Sequence, residues 1–142
     1  MLFFWYSTYR IERTHTNHYL IDEVFEEWDE VYKKGQLTLW VLLSLYDGEK
    51  YSQEIANFMT DATNGHLSVK EQSLYRALRR YKSLGIVNIV KKPSPNSGPD
   101  RNYFSLTTNG EELLRLFVKA HITPLQSTIT KQLLDKLQKG TS

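Results

Sequence analysis

Residues 69–106 read VKEQSLYRALRRYKSLGIVNIVKKPSPNSGPDRNYFSL, and three local patterns follow one another within them. From Val69 to Ser83 the apolar positions recur three and four apart, which is the spacing of an amphipathic helix. Gly85 can end that helix. Ile86-Val87-Asn88-Ile89-Val90 has strand composition. Pro93-Ser94-Pro95-Asn96-Ser97-Gly98-Pro99 suits neither helix nor strand and reads as a flexible hairpin loop. Asn102-Tyr103-Phe104-Ser105-Leu106 is then the returning strand. The stretch is a helix feeding directly into a two-stranded hairpin.

Upstream, two more helices precede this unit. Leu37 to Tyr46 reads as a nearly buried helix closed by Asp47-Gly48. Ser52 can N-cap the next one, with Gln53 and Glu54 in its first turn and Ile55, Phe58 and Met59 on one face. Asn64-Gly65 is a turn signal. Downstream, Thr107 or Thr108 can cap a final helical region whose apolar steps run from Leu113 through Phe117, Leu125, Ile129 and Leu133 to Leu137. Pro124 is expected to kink or break it. Three helices, a hairpin and a terminal helix form the winged helix-turn-helix layout, in which the third helix is the reader and the hairpin is the wing. The expected class is mainly α with a small β-hairpin, with an N-terminal helix and a long C-terminal dimerisation helix appended.

The N-terminal part stands apart. Residues 1–19 show no clear period. Leu20 to Lys34 carries Val24, Phe25, Trp28, Val31 and Tyr32 on one face and Asp22, Glu23, Glu26, Glu27, Asp29 and Glu30 on the other. It reads as an amphipathic helix stopping at Gly35. So apolar a stripe is expected to dock, because a lone helix of this length is marginal in water. The expected organisation is an arm and helix over 1–34, the winged domain over 35–108 and a dimerisation region over 109–142.

Charge is distributed unevenly. The 142 residues carry a net charge of +2. Between His66 and Thr107, however, eight cations face two carboxylates, whereas the rest of the chain holds ten against fourteen. A basic block on an otherwise acidic chain fits a nucleic-acid footprint. At about 100° per residue, Leu74, Ala77, Leu78 and Tyr81 share the inner face of the third helix, and Gln72, Arg76, Arg79 and Ser83 point outward. Such a face suits the major groove: Arg76 can fork onto guanine and Gln72 onto adenine. Lys70, Ser73, Tyr75 and Arg80 are placed for phosphate, as are Lys91, Lys92 and Arg101 beside the loop. The bland reading of the helix cations is a solvated face, and that of the loop cations is edge-strand protection.

The chain resembles the PadR-like transcriptional regulators in three blocks. These are Tyr51-Ser52-Gln53-Glu54-Ile55, the run from Ser73-Leu74-Tyr75-Arg76 through Arg80 to Leu84-Gly85-Ile86-Val87, and the run from Gly98-Pro99-Asp100-Arg101 to Thr107-Thr108-Asn109-Gly110. Ser52 stands where that family usually has glycine, and Tyr81 where it usually has leucine. The resemblance implies a regulator, often a repressor, that binds double-stranded DNA as a homodimer. It implies that the C-terminal helix is the dimer interface, here through Phe117, Leu125, Ile129 and Leu133, and that Tyr75 contacts the DNA backbone. Some family members bind flat aromatic or hydrophobic effectors between subunits, for which Trp28, Trp40 and Phe117 are the candidates. Two alternatives stay open: a winged-helix protein–protein adaptor without DNA binding, and a MarR-like ligand-sensing regulator.

Other classes find no residues. There is no cysteine, hence no disulfide, thiolate metal site or thiol nucleophile, in keeping with the cytoplasm. His15 and His18 are spaced as metal ligands can be, but nothing nearby supports them, and no metal is assigned. No phosphate loop, nucleophile elbow or carboxylate pair suggests an enzyme or a cofactor. Leu37 to Tyr46 is too short to span a membrane. The apolar start lacks a basic leader and is soon interrupted by Ser7, Thr8 and Arg10, so it is not read as a signal peptide.

Overall fold

A computed structural model describes residues 17–140, with side chains from Leu20 onward. The chain divides into two compact units between Gly35 and Gln36. The elements in order are α1 (Asn17–Tyr46), β1 (Lys50–Tyr51), α2 (Ser52–Ala62), α3 (Glu71–Ser83), β2 (Val87–Lys92), β3 (Arg101–Leu106), α4 (Thr108–Phe117) and α5 (Thr128–Lys139). A π-helical turn, Val118–Ile122, and a 3-10 turn, Thr123–Gln126, lie between α4 and α5. His15 falls outside the described residues, and so does most of the 1–19 segment. No described helix is long and apolar enough to cross a membrane.

Two expectations change. Gly35 does not stop a helix: α1 is a single helix of 30 residues that runs through it. One glycine in a helix interior costs only about 1 kcal/mol relative to alanine, which helical residues on both sides outweigh. Ser52 does not cap α2 either. Tyr51 is the N-cap and makes no side-chain capping bond. Ser52 is the first helical residue, buried, and its Oγ donates to the Tyr75 hydroxyl at 3.3 Å.

In the N-terminal unit, Phe25, Trp28 and Tyr32 are each more than half exposed. Lys33 Nζ pairs with Asp29 Oδ2 at 3.0 Å, one turn apart.

The second unit is built on a core of Val41 and Leu45 from α1, Ile55 and Met59 from α2, Leu74, Leu78 and Tyr81 from α3, and Val87 and Phe104 from the hairpin. Leu39, Leu42 and Leu114 form a second cluster, against which Phe117, Val118 and Ile122 pack. α1 therefore offers alternate faces to α3 and to α4. The sheet has three antiparallel strands in the order β1-β3-β2, with Tyr51 opposite Tyr103 and Lys92 opposite Arg101.

The joint between α3 and the wing is fixed by backbone geometry. Gly85 has φ +73°. Ile86 N donates to Tyr81 O at 2.9 Å and Gly85 N to Lys82 O at 3.0 Å, which is the Schellman pattern that satisfies the last carbonyls of a helix. Thr107 then ties this joint to α4. Its Oγ1 lies 2.6 Å from Gly85 O and 3.0 Å from Ile86 O, and it accepts from Gly110 N at 3.0 Å.

The C-terminal region is broken at Pro124 and does not form one long rod. Ser127 adopts an extended backbone, and its side chain caps α5 by accepting from Thr130 N.

Candidate nucleic-acid interface

The sequence of α3 sorts its side chains into two faces. Leu74, Leu78 and Tyr81 are buried, whereas Gln72, Ser73, Arg76, Arg79 and Arg80 are exposed. Lys70, at the N-cap position, is exposed as well. Tyr75 lies on the flank, half-buried. Its ring meets Phe104 edge to face at 6.4 Å, and its hydroxyl accepts from Ser52. Gln72, Arg76 and Arg79 line one shallow groove with Glu71 and Tyr75, about 490 Å³ in volume. Among the described residues, Arg76, Arg79 and Arg80 have no ion-pair partner. Three unpaired guanidiniums within five residues form a face that attracts polyanions.

Tyr81, which stands where leucine is usual, is held by more than apolar packing. Its hydroxyl shares a 2.7 Å hydrogen bond with Thr38 Oγ1 on α1. Burial pushes its phenol above the ordinary value of 10.0, opposed by the Thr38 hydrogen bond and the Arg80 charge.

The wing cations do not share one environment. Lys91 is exposed and has no partner among the described residues. Lys92 forms an ion pair with Glu49 and sits 5.3 Å from the centre of the Tyr103 ring. The Arg101 guanidinium lies 4.4 Å from the centre of the Tyr51 ring. Neither Glu49 nor Tyr51 carried any signal of such a role in the sequence. Glu49 is one carboxylate among the acidic remainder, and its partner is 43 positions away.

Trp40 and Phe117 pack on different clusters of the second unit. Trp40 is half-buried against the main core, with Nε1 donating to Gln36 Oε1 at 3.3 Å. Phe117 packs on the second cluster and lies 5.9 Å from the His121 ring. Trp28 belongs to the N-terminal unit. A groove of about 300 Å³ runs between α1 and α4, lined by Leu43, Tyr46, Leu114, Arg115, Val118 and Lys119 among others, and neither Trp40 nor Phe117 reaches it. Of the proposed dimer residues, Phe117 is half-buried in its own chain, whereas Leu125, Ile129 and Leu133 are 46%, 74% and 63% exposed.

The sequence profile of the transcriptional regulator PadR-like family matches residues 41–116. No curated protein matches the sequence significantly. Among solved structures, a PadR-like transcriptional regulator from Bacillus cereus is similar at 29% identity and a TM-score of 0.56, over 71% of this chain and 93% of its own. A padr family transcriptional regulator from Eggerthella lenta shares the fold at 22% identity and a TM-score of 0.62, over 80% of this chain and 96% of its own. The match takes in α3, the wing and nearly all of α4, more than half of the sequence, and the chain therefore belongs to the PadR-like family of transcriptional regulators.

Proposed function

We propose that this regulator is a homodimeric repressor that sets two copies of α3 in the major groove of a two-fold symmetric operator. The observation that carries the reading is the exposed, unpaired face of Arg76, Arg79 and Arg80 beside Gln72. In this reading Arg76 and Gln72 contact base edges, while Lys70, Ser73, Tyr75, Arg79, Arg80 and Lys91 contact phosphate. Residues 35–108 are the DNA-binding part and 109–142 the dimerisation part, through the exposed stripe of Leu125, Ile129 and Leu133. A small hydrophobic or aromatic effector acting on the dimer completes the scheme.

The test is a titration of the double variant Arg76→Ala with Arg79→Ala against several duplexes at fixed salt. A base-specific arginine contact is worth about 1–3 kcal/mol and its loss relaxes sequence preference, whereas a lost phosphate contact weakens all duplexes alike. We expect both signatures, with the thermal melt unchanged. Unaltered affinity for every duplex would remove α3 as the reader.

A further inference from the structure

At the neck of the hairpin, Lys92 and Arg101 are cross-strand partners. Like charges directly opposite one another in an antiparallel pair are destabilising. Each is drawn away in its own direction: Lys92 to the Glu49 carboxylate and the Tyr103 ring, Arg101 to the Tyr51 ring. The two tyrosines are themselves cross-strand partners and meet edge to face at 5.7 Å. The two touching rings thus each hold one of the two cations, and Glu49 supplies the only carboxylate that closes the cluster among the described ion pairs.

Glu49 is held in place. It lies between Gly48 and Lys50, in the turn that joins α1 to β1. Lys50 Nζ staples that turn by donating to Ser44 O at 2.7 Å and to Asp47 Oδ2 at 2.9 Å. A rigid turn therefore presents a carboxylate to the base of the wing, and the strand that follows it leads directly into α2.

We propose that Glu49 is a positioning residue for DNA binding, acting through Lys92 to set the angle of the wing relative to α2 and α3. The inference rests on the DNA reading above. It has a distinctive sign. A carboxylate near a DNA-binding face repels phosphate, so removing it ordinarily strengthens binding and steepens its salt dependence. Removing a carboxylate that aims the wing weakens binding. An exposed ion pair contributes little to global stability, so the fold survives its loss and the effect is read in DNA affinity.

The full chain is titrated with one duplex across a salt series as wild type, Glu49→Gln, Lys92→Met, the two together, and the exchange Glu49→Lys with Lys92→Glu. Thermal melts check folding. Glu49→Gln is expected to weaken binding roughly twofold to fivefold, the range that one exposed pair can carry. It is expected to have no effect in the Lys92→Met background, because coupled residues are not additive. The charge exchange is expected to restore most of the affinity. Tighter or unchanged binding by Glu49→Gln would overturn the proposal, as would an equal loss with and without Lys92. Failure of the arginine double variant to alter affinity would remove α3 as the reader and leave the Glu49 result to stand by itself. A wild type that holds no duplex at any salt would overturn both.

Discussion

Tyr81 shows how one side chain can carry more than its position suggests. Its spacing from Leu74 and Leu78 marks it as inward-facing, and it is buried. Its partner Thr38 lies 43 positions earlier, so the hydrogen bond leaves no trace in any local pattern. The native state raises the phenol above its ordinary value through burial. Folding therefore favours the protonated form. The stabilisation is fully present below about pH 10 and is lost as pH rises through the raised value. Tyr81→Phe removes the ionisation and the hydrogen bond together. It is expected to cost about 1 kcal/mol at neutral pH, with the gap to wild type narrowing toward about pH 11. Urea midpoints measured at both ends would show it, and a gap that widens with pH would contradict it.

Elements were legible in proportion to their length and periodicity. The third helix and the hairpin follow from spacing and turn chemistry, and of the two caps they left open, Thr107 and Thr108, the structure uses Thr107. β1 was missed because two residues, Lys50 and Tyr51, have no period; they are a strand only because β3 lies alongside. The stop at Gly35 was overread, since a glycine weakens a helix without ending it. Pro124 did mark a break, but the π-helical turn before it has no sequence signature. Of the site, the α3 face was legible from helical geometry, whereas the partners of the wing cations come from another strand and another turn. Gly110 carries the strongest test at this scale. A Cβ there would stand 2.1 Å from Ile86 O and 3.0 Å from Leu106 Cδ2. The obstacle is backbone and cannot rotate aside. Gly110→Ala should therefore cost about 1–3 kcal/mol, toward the upper end, and should loosen the joint between wing and α4. An unchanged denaturation midpoint would show that the joint can yield.

At the scale of the molecule, the second unit exposes both a cationic face and apolar side chains. Cations gather on α3 and the wing, while Leu125, Ile129, Leu133 and Leu137 are exposed apolar side chains on the C-terminal segments. Several large apolar side chains exposed close together in sequence call for a partner. We expect the wild type to sediment as a dimer at micromolar concentration, and Leu125→Glu with Ile129→Glu to sediment as a monomer, because unpaired charges are costly in an apolar interface. A monomeric wild type would overturn the assembly. The wing loop has one more consequence. From Pro93 to Pro99 it carries no charge, Asn96 at its centre is exposed, and the chain contains no cysteine. A thiol introduced at Asn96 would be unique in the chain. A single fluorophore could be attached there chemically and would report the wing alone, separating its arrival at DNA from that of the reader helix in time.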